Sequence, residues 1–264
     1  MLMIKVYLAG ARGRMGRMVA DTIPRQPDME LVGAADILGA GEELPLPAGK
    51  APLRLDAEPE TERLRELGTD VLVDFTNKQA AGKNAAAALR AGARPVIGAT
   101  GLDEDALAEL RRLSRETGIG VFIAPNFALG AVLMMKFAEQ AAAYFPDVEI
   151  IEMHHDRKLD APSGTALLTA ERIARARRPK RQGHAEESEK LPGARGGDFE
   201  GMRIHAVRLP GLEAHQEVIF AGYGQSLLIR HDAYSRETYM PGVTLAVRKA
   251  RELTDFVVGL ENFL

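Results

Sequence analysis

The chain of 264 residues contains no cysteine, no tryptophan and only five tyrosines. Without cysteine there is no disulfide, no thiolate nucleophile and no sulfur-based metal site, and an intracellular setting is favoured. Any metal would have to rest on histidines and carboxylates. An excess of one charge is also missing. With 34 Lys and Arg against 37 Asp and Glu the net charge is -3, so no broad field draws in nucleic acid or an anionic membrane. Long hydrophobic runs are absent as well. The opening stretch Met1-Leu-Met-Ile-Lys-Val-Tyr-Leu-Ala-Gly10 is apolar over a strand's length, without a basic leader or a small-residue cleavage site, and no segment approaches the ~18 residues of a membrane helix. The expectation is a cytoplasmic protein whose partners are neither membrane nor nucleic acid.

What is present is periodic. Residues 4–8 read as a short buried strand, 10–16 as a glycine-rich turn and 14–23 as a helix closed by Pro24. Further apolar runs at 31–35, 71–75, 95–98 and 121–124 alternate with helical segments such as 84–91 and 104–117, where Leu107, Leu110 and Leu113 share a face. Strands that alternate with helices imply an α/β fold, a Rossmann-like doubly wound parallel sheet covered on both faces. The Gly- and Pro-rich stretch 38–60 is expected to be an exposed loop.

After Asn126 the pattern changes. A helix at 129–144, a strand at 148–152 and a helix at 165–176 precede a charged, aperiodic segment, 177–201, expected to be a mobile loop or lid. Strands at 203–209, 216–221 and 225–233 then predict a smaller α+β domain with an open, mostly antiparallel sheet. A final helix over 243–258 is expected to pack back on the first domain. The predicted boundaries are 1–126 completed by 240–264, and 127–239.

The run Gly10-Ala11-Arg12-Gly13-Arg14-Met15-Gly16 follows a strand and opens a helix, which turns a glycine pattern into evidence. Its spacing, GxxGxxG, allows a tight turn and close approach of backbone N–H groups to a pyrophosphate at the helix N-terminus. Asp36, twenty residues beyond Gly16 at the end of the second strand, can accept hydrogen bonds from both ribose hydroxyls. Its carboxylate should repel the 2′-phosphate of NADP, while Arg12 and Arg14 could offset that repulsion, so NADH preferred or dual use is expected. The bland reading is a packing glycine motif and a solvated strand end. Three other strand ends, Asp74-Phe75-Thr76-Asn77, Gly98-Ala99-Thr100-Gly101 and Ala124-Pro125-Asn126-Phe127, would face the same crevice, with Gly98 and Thr100 beside the nicotinamide ribose and Phe127 walling the ring. Each alone is an ordinary strand-to-loop segment; their joint placement favours function.

His154 and His155 follow a strand, and Lys158 and Asp160 precede Ala-Pro-Ser163-Gly164-Thr165, which begins a helix. Ser163 suits the N-cap, and the N–H groups of Gly164 and Thr165 make an anion seat to which Lys158 adds a point charge. Adjacent histidines lack the i, i+4 partner of a zinc helix, so no metal is expected; one histidine for proton transfer and one for substrate contact fits better. His184 and His231 are more simply read as structural. The segment therefore points to a reductase of a small anionic substrate.

These residues resemble the 4-hydroxy-tetrahydrodipicolinate reductase (dihydrodipicolinate reductase) family. The resemblance spans the whole chain, from the glycine run through the three strand ends to Glu152-Met-His-His-Asp-Arg-Lys-Leu-Asp-Ala-Pro-Ser-Gly-Thr-Ala166, and on to Arg208-Leu-Pro-Gly211, Glu213-Ala-His-Gln216 and Ser235-Arg236. It implies a dinucleotide-binding domain, a substrate-binding and oligomerisation domain, a homotetramer, and reduction of a cyclic unsaturated dicarboxylate by NADH or NADPH in diaminopimelate and lysine synthesis. It also implies His154 as proton donor or acceptor and Lys158 as proton donor, with His155, Gly164 and Thr165 on the substrate. Two positions depart from the family's usual pattern: Ile37 follows Asp36 where Arg is common, and Asn77 stands where Arg can occur. Both remove positive charge that would suit NADP. The competing readings are another two-domain dehydrogenase, which would lack His-His-x-x-Lys with Ser-Gly-Thr, and a nucleotide-binding sensor without turnover.

Overall fold

The computed structural model describes residues 3–47 and 49–264; the readings that touch Met1, Leu2 and Ala48 lie outside the described residues. The chain divides into two compact units, Met1–Ala128 with Tyr239–Leu264, and Leu129–Thr238.

The first unit contains β1 (Ile4–Ala9), α1 (Arg14–Thr22), β2 (Met29–Ala35), β3 (Glu43–Leu44), β4 (Leu53–Arg54), α2 (Thr61–Glu66), β5 (Val71–Asp74), α3 (Lys78–Ala91), β6 (Arg94–Ile97), α4 (Glu104–Thr117) and β7 (Val121–Ile123). The second contains α5 (Leu129–Ala142), β8 (Asp147–His154), α6 (Gly164–Ala176), β9 (Gly197–Phe199), β10 (Met202–Arg208), β11 (Ala214–Gly222) and β12 (Gln225–Ala233). The chain then returns to the first with α7 (Met240–Ala250) and β13 (Phe256–Val258).

In the first unit six strands in the order β13-β7-β6-β5-β1-β2 are parallel throughout. Parallel strands with helices on both faces are buried on both sides, which is why Val71, Leu72 and Val73 are a continuous apolar run with no exposed residue. The second unit's five strands run β12-β11-β8-β10-β9, antiparallel except for the β8–β10 pair. One face of that sheet packs on helices through Val148, Ile150, Val218 and Phe220, all buried. On the other face Ile151, Met153, Val207 and Ile219 keep part of their surface, and Leu228 is exposed.

Several expected elements change. The helix anticipated over 243–258 stops at Ala250, because Phe256-Val-Val258, aromatic and β-branched, pairs with β7 as a sixth strand and Phe256 sits opposite Val121. The expected loop 38–60 is partly structured: β3 and β4 form a small hairpin, and Leu44 and Leu55 are buried. α2 went unread because its six residues are too few to show a period. α3 begins at Lys78, earlier than its alanine run suggests, since the Asn77 side chain caps it by accepting from the N–H groups of Gln79 and Ala80. The segment 177–201, expected to be a mobile loop or lid, is attached to the sheet at both of its ends. Arg177 is buried and donates to the carbonyls of Pro146, Lys180 and Glu200, Arg195 pairs with Glu149, and β9 joins the sheet. Among the described residues no helix is long and apolar enough to cross a membrane, and no group of three or more His, Asp or Glu could hold a metal ion.

The C-terminal return is anchored by charge. The Arg248 guanidinium on α7 donates to both oxygens of Asp28, at 2.7 and 2.8 Å, and to Gln26, and this pairing holds the Asp28 carboxyl below the usual carboxylate range. Replacing Arg248 by Met leaves Asp28, only 8% exposed, without its partner. Urea unfolding should show a loss of roughly 1–3 kcal/mol, and combining R248M with D28N should recover part of it.

Candidate active site

The first unit supplies a glycine-lined corner at the end of β1. β1 ends in a turn where Gly10 adopts φ +85, and a Cβ there would meet the Phe75 carbonyl oxygen at 2.8 Å. A Cβ on Gly16 would lie 1.9 Å from the Gly10 carbonyl oxygen, so only glycine lets α1 approach the strand this closely. The N-terminus of α1 has Gly13 at its cap, no capping side chain and no acidic residue in its first turn, leaving its positive end for an external anion. Asp36 is held by two backbone donors, Arg12 N–H at 2.8 Å and Leu38 N–H at 2.9 Å. A cleft of about 230 Å³ runs past Gly10, Gly13, Asp36, Ile37, Leu38 and Thr76. Ile37 and Leu38, 78% and 72% exposed, offer apolar surface at its rim.

Asp74 is fully buried at the end of β5; burial raises its carboxyl, against hydrogen bonds from Thr76 N–H, Thr76 O–H and Asn84. This fixes the Phe75-Thr76 turn. The Phe75 ring lies across Gly98, where a Cβ would clash at 2.2 Å, and its centroid is 5.5 Å from that of Phe127. Phe127 is buried and also packs edge-on to Phe122, so it supports this corner from behind. Ala99 and Ala124 are buried, whereas Thr100 and Pro125 are exposed and Asn126 accepts from the Ala128 N–H. Arg12 departs from expectation: its guanidinium is paired with Glu42, while Arg14 is exposed.

The second unit gathers the histidine segment around one buried acid. β8 extends through His154, so Glu152 and His154, two residues apart, share a face. Glu152 has no exposed surface and four donors meet it: His154 Nδ1 at 2.6 Å, the Arg208 guanidinium at 2.6 and 2.8 Å, and the Ser163 N–H at 3.1 Å. Burial works to raise its carboxyl, but the hydrogen bonds from His154 and Arg208 prevail and hold it at about 2. An ionised carboxylate at Nδ1 makes that nitrogen the donor and leaves Nε2 to exchange a proton.

Arg208 also donates to the Asp160 carbonyl at 2.8 Å, and the Asp160 carboxylate receives Lys158 Nζ at 2.8 and 3.0 Å. The loop carrying the lysine is thereby tied to the centre carrying the histidine. Ser163 caps α6 through a bond from the Ala166 N–H at 3.2 Å, and Gly164 has open space where a Cβ would stand. Lys158, paired with Asp160, and Arg208, paired with Glu152, thus stand near the start of a helix. His155 has a buried Nδ1 with no hydrogen-bond partner among the described residues. His184 accepts from the Glu186 N–H within the 177–201 segment, and His231 lies over Gly130.

The structure thus brings His154, Lys158, Ser163 and Gly164 together, and it adds Glu152 and Arg208, which the sequence reading had not singled out. Glu152 carried a usable signal, an acid two residues before a histidine at a strand end. Arg208 stood out only within the Arg208-Leu-Pro-Gly211 run, and its place opposite His154 depends on the parallel register of β10 with β8.

Family models described as Dihydrodipicolinate reductase, N-terminus and C-terminus, match residues 4–127 and 130–264. A 4-hydroxy-tetrahydrodipicolinate reductase of Desulfitobacterium hafniense is 58% identical, covering 99% of this chain and 98% of that protein. One of Halalkalibacterium halodurans is 52% identical, covering 99% and 100%. Among solved structures, a dipicolinate-bound dihydrodipicolinate reductase from Paenisporosarcina sp. TG-14 matches with a TM-score of 0.90 and 44% identity over 100% of both chains. A probable dehydrogenase from Thermotoga maritima, 10% identical with a TM-score of 0.63 over 98% of this chain and 92% of that one, shares the fold alone. With both halves matched in order and curated relatives similar over nearly every residue, the chain belongs to the dihydrodipicolinate reductase family.

Proposed function

We propose that this chain is an oxidoreductase that reduces 4-hydroxy-tetrahydrodipicolinate to tetrahydrodipicolinate with a pyridine nucleotide, in the diaminopimelate route to lysine. The observation that carries the reading is the Glu152–His154–Arg208 cluster, joined through Asp160 to Lys158 and through Ser163 to the start of α6. A dicarboxylate needs fixed positive partners, and the segment supplies Lys158 and the N–H groups at Gly164 and Thr165, while Arg208 neutralises Glu152. His155 is the further substrate contact, and Ser163 holds the helix cap.

The glycine turn suits a dinucleotide pyrophosphate, because Gly10 and Gly16 let the turn pack tightly between strand and helix and the N-terminus of α1 that it presents carries no side-chain cap of its own. The nucleotide, when bound, supplies a hydride. Cofactor contacts are assigned to Gly10, Ala11, Arg12, Gly13, Arg14, Met15 and Gly16, to Asp36 for the ribose, and to the Phe75-Thr76, Gly98-Ala99-Thr100 and Ala124–Phe127 turns. Asp36 makes NADH preferred or used alongside NADPH.

The reaction balances with one hydride and one proton added to the substrate ring and one water lost from it. Hydride addition to a conjugated C=C–C=N system leaves electron density that must be protonated. His154 carries that proton at Nε2 while Glu152 keeps Nδ1–H in place, and the Lys158 ammonium opposes the developing charge. The half-exposed sheet face of Ile151, Met153, Val207, Ile219 and Leu228 is the surface we assign to the homotetramer.

In a coupled assay with the preceding synthase, pyruvate and aspartate semialdehyde, NADH oxidation at neutral pH is expected, and none with an active synthase would overturn the reading. His154→Gln and Lys158→Ala should each lower kcat by roughly 10²–10⁴. If both variants turn over near the wild-type rate, the proton roles are wrong.

Glu152 has a pH signature. Its carboxyl is held at about 2 against an ordinary 4.5, so the stability it contributes is fully present above about 4.5 and is lost as pH falls through about 2. Unfolding free energy measured from pH 6 to pH 2 should therefore fall less steeply in Glu152→Gln than in wild type.

A further inference from the structure

The nucleotide corner contains a charge arrangement that bears on which nucleotide it takes. Arg12 lies beside Asp36: its backbone N–H donates to Asp36 Oδ2 at 2.8 Å. A guanidinium at this position is the natural partner of a ribose 2′-phosphate. Its side chain, however, is already engaged. The guanidinium lies across Gly39, where a Cβ would meet Nη2, Nε and Cζ at 2.8 to 3.0 Å, and it is ion-paired with Glu42. Its Nε is buried with no acceptor among the described residues. The residues lining the cleft include Gly10, Gly13, Asp36, Ile37 and Leu38 but not Arg12.

Glu42 is itself fixed from the backbone. Its N–H donates to the Gly39 carbonyl at 2.9 Å, its carbonyl accepts from the Leu55 N–H at 2.9 Å, and the neighbouring Gly41 N–H donates to the Leu55 carbonyl at 2.8 Å. Gly39 and Gly41, at φ +92 and +83, make the tight turn that brings Glu42 back over the glycine loop. Leu55 is buried, so the turn is anchored on the core.

We propose that Glu42 is a specificity-determining residue that disfavours NADPH by holding Arg12 away from the 2′ position; this rests on the cofactor reading given above. A 2′-phosphate must break the Arg12–Glu42 pair to reach the guanidinium, and it then leaves the Glu42 carboxylate as an unpaired like charge nearby. NADH, with a 2′-hydroxyl accepted by Asp36, requires neither. The chain thus discriminates by an acid that repels the wrong nucleotide indirectly, through its arginine, as well as by Asp36 directly. In this account the two arginines of the glycine loop do not simply cancel Asp36, because one of them is already spoken for.

The test is the binary affinity for NADH and for NADPH, by nucleotide fluorescence titration without substrate. Glu42→Gln should tighten NADPH roughly tenfold and move NADH less than about twofold. The gain should vanish in Glu42→Gln/Arg12→Ala, and Glu43→Gln, which removes a neighbouring charge not paired with Arg12, should give none. No NADPH gain in Glu42→Gln, a gain that survives loss of Arg12, or an equal gain in Glu43→Gln overturns the proposal while leaving the cofactor site intact. Failure of the wild-type protein to bind either nucleotide overturns the cofactor reading and this proposal together. Because Glu42 is exposed, a thermal midpoint equal to wild type is the expected control on folding.

Discussion

The second unit is organised around a carboxylate that has no access to water. An ionised acid in the interior is tolerated only if its lone pairs are taken up by donors, and Glu152 finds them on three segments: His154 on its own strand, Arg208 on β10 and the Ser163 N–H at the start of α6. Removing one partner of such a buried, multiply bonded charge costs on the order of 3–5 kcal/mol, so strand register, helix start and histidine orientation are mutually dependent. In the proposed function chemistry and folding use the same group. The constraint that keeps Glu152 ionised also makes Nδ1 of His154 a donor, and Arg208, which neutralises the acid, carries the order outward to Asp160 and hence to Lys158.

The first unit is governed by close approach instead of charge. Gly10 and Gly16 let the strand and helix meet at a separation no side chain permits, and the helix start is left uncapped for a ligand. Around that cradle the polar groups are held in place: Asp36 by two backbone N–H donors, and Asp74 by the Thr76 N–H and by the side chains of Thr76 and Asn84. Such fixed dipoles lose little entropy on binding, which suits a site that must take up and release a nucleotide in each cycle.

Alternation of apolar runs with helical segments was enough to read the parallel sheet, since buried parallel strands cannot hide their composition. The glycine run and the His-His-x-x-Lys segment were legible because both depend on residues close in sequence. The final strand was misread as helix because its pairing partner, β7, lies more than a hundred residues earlier. The 38–60 stretch was misread as a plain loop for a similar reason: strands of two residues have no period, and the burial of Leu55 is decided by what packs over it.

By itself the sequence determined the class of fold, the place of the glycine turn between the first strand and helix, and the His-His-x-x-Lys segment at a strand end, all of which follow from local spacing and side-chain chemistry. Only the tertiary structure decided how those groups are tuned. Arg208 meets Glu152 through strand register, and Arg12 meets Glu42 because a turn anchored on Leu55 folds back over the glycine loop. Both are ion pairs between residues distant in sequence, and whether a charge is free or already paired is a property of the folded chain.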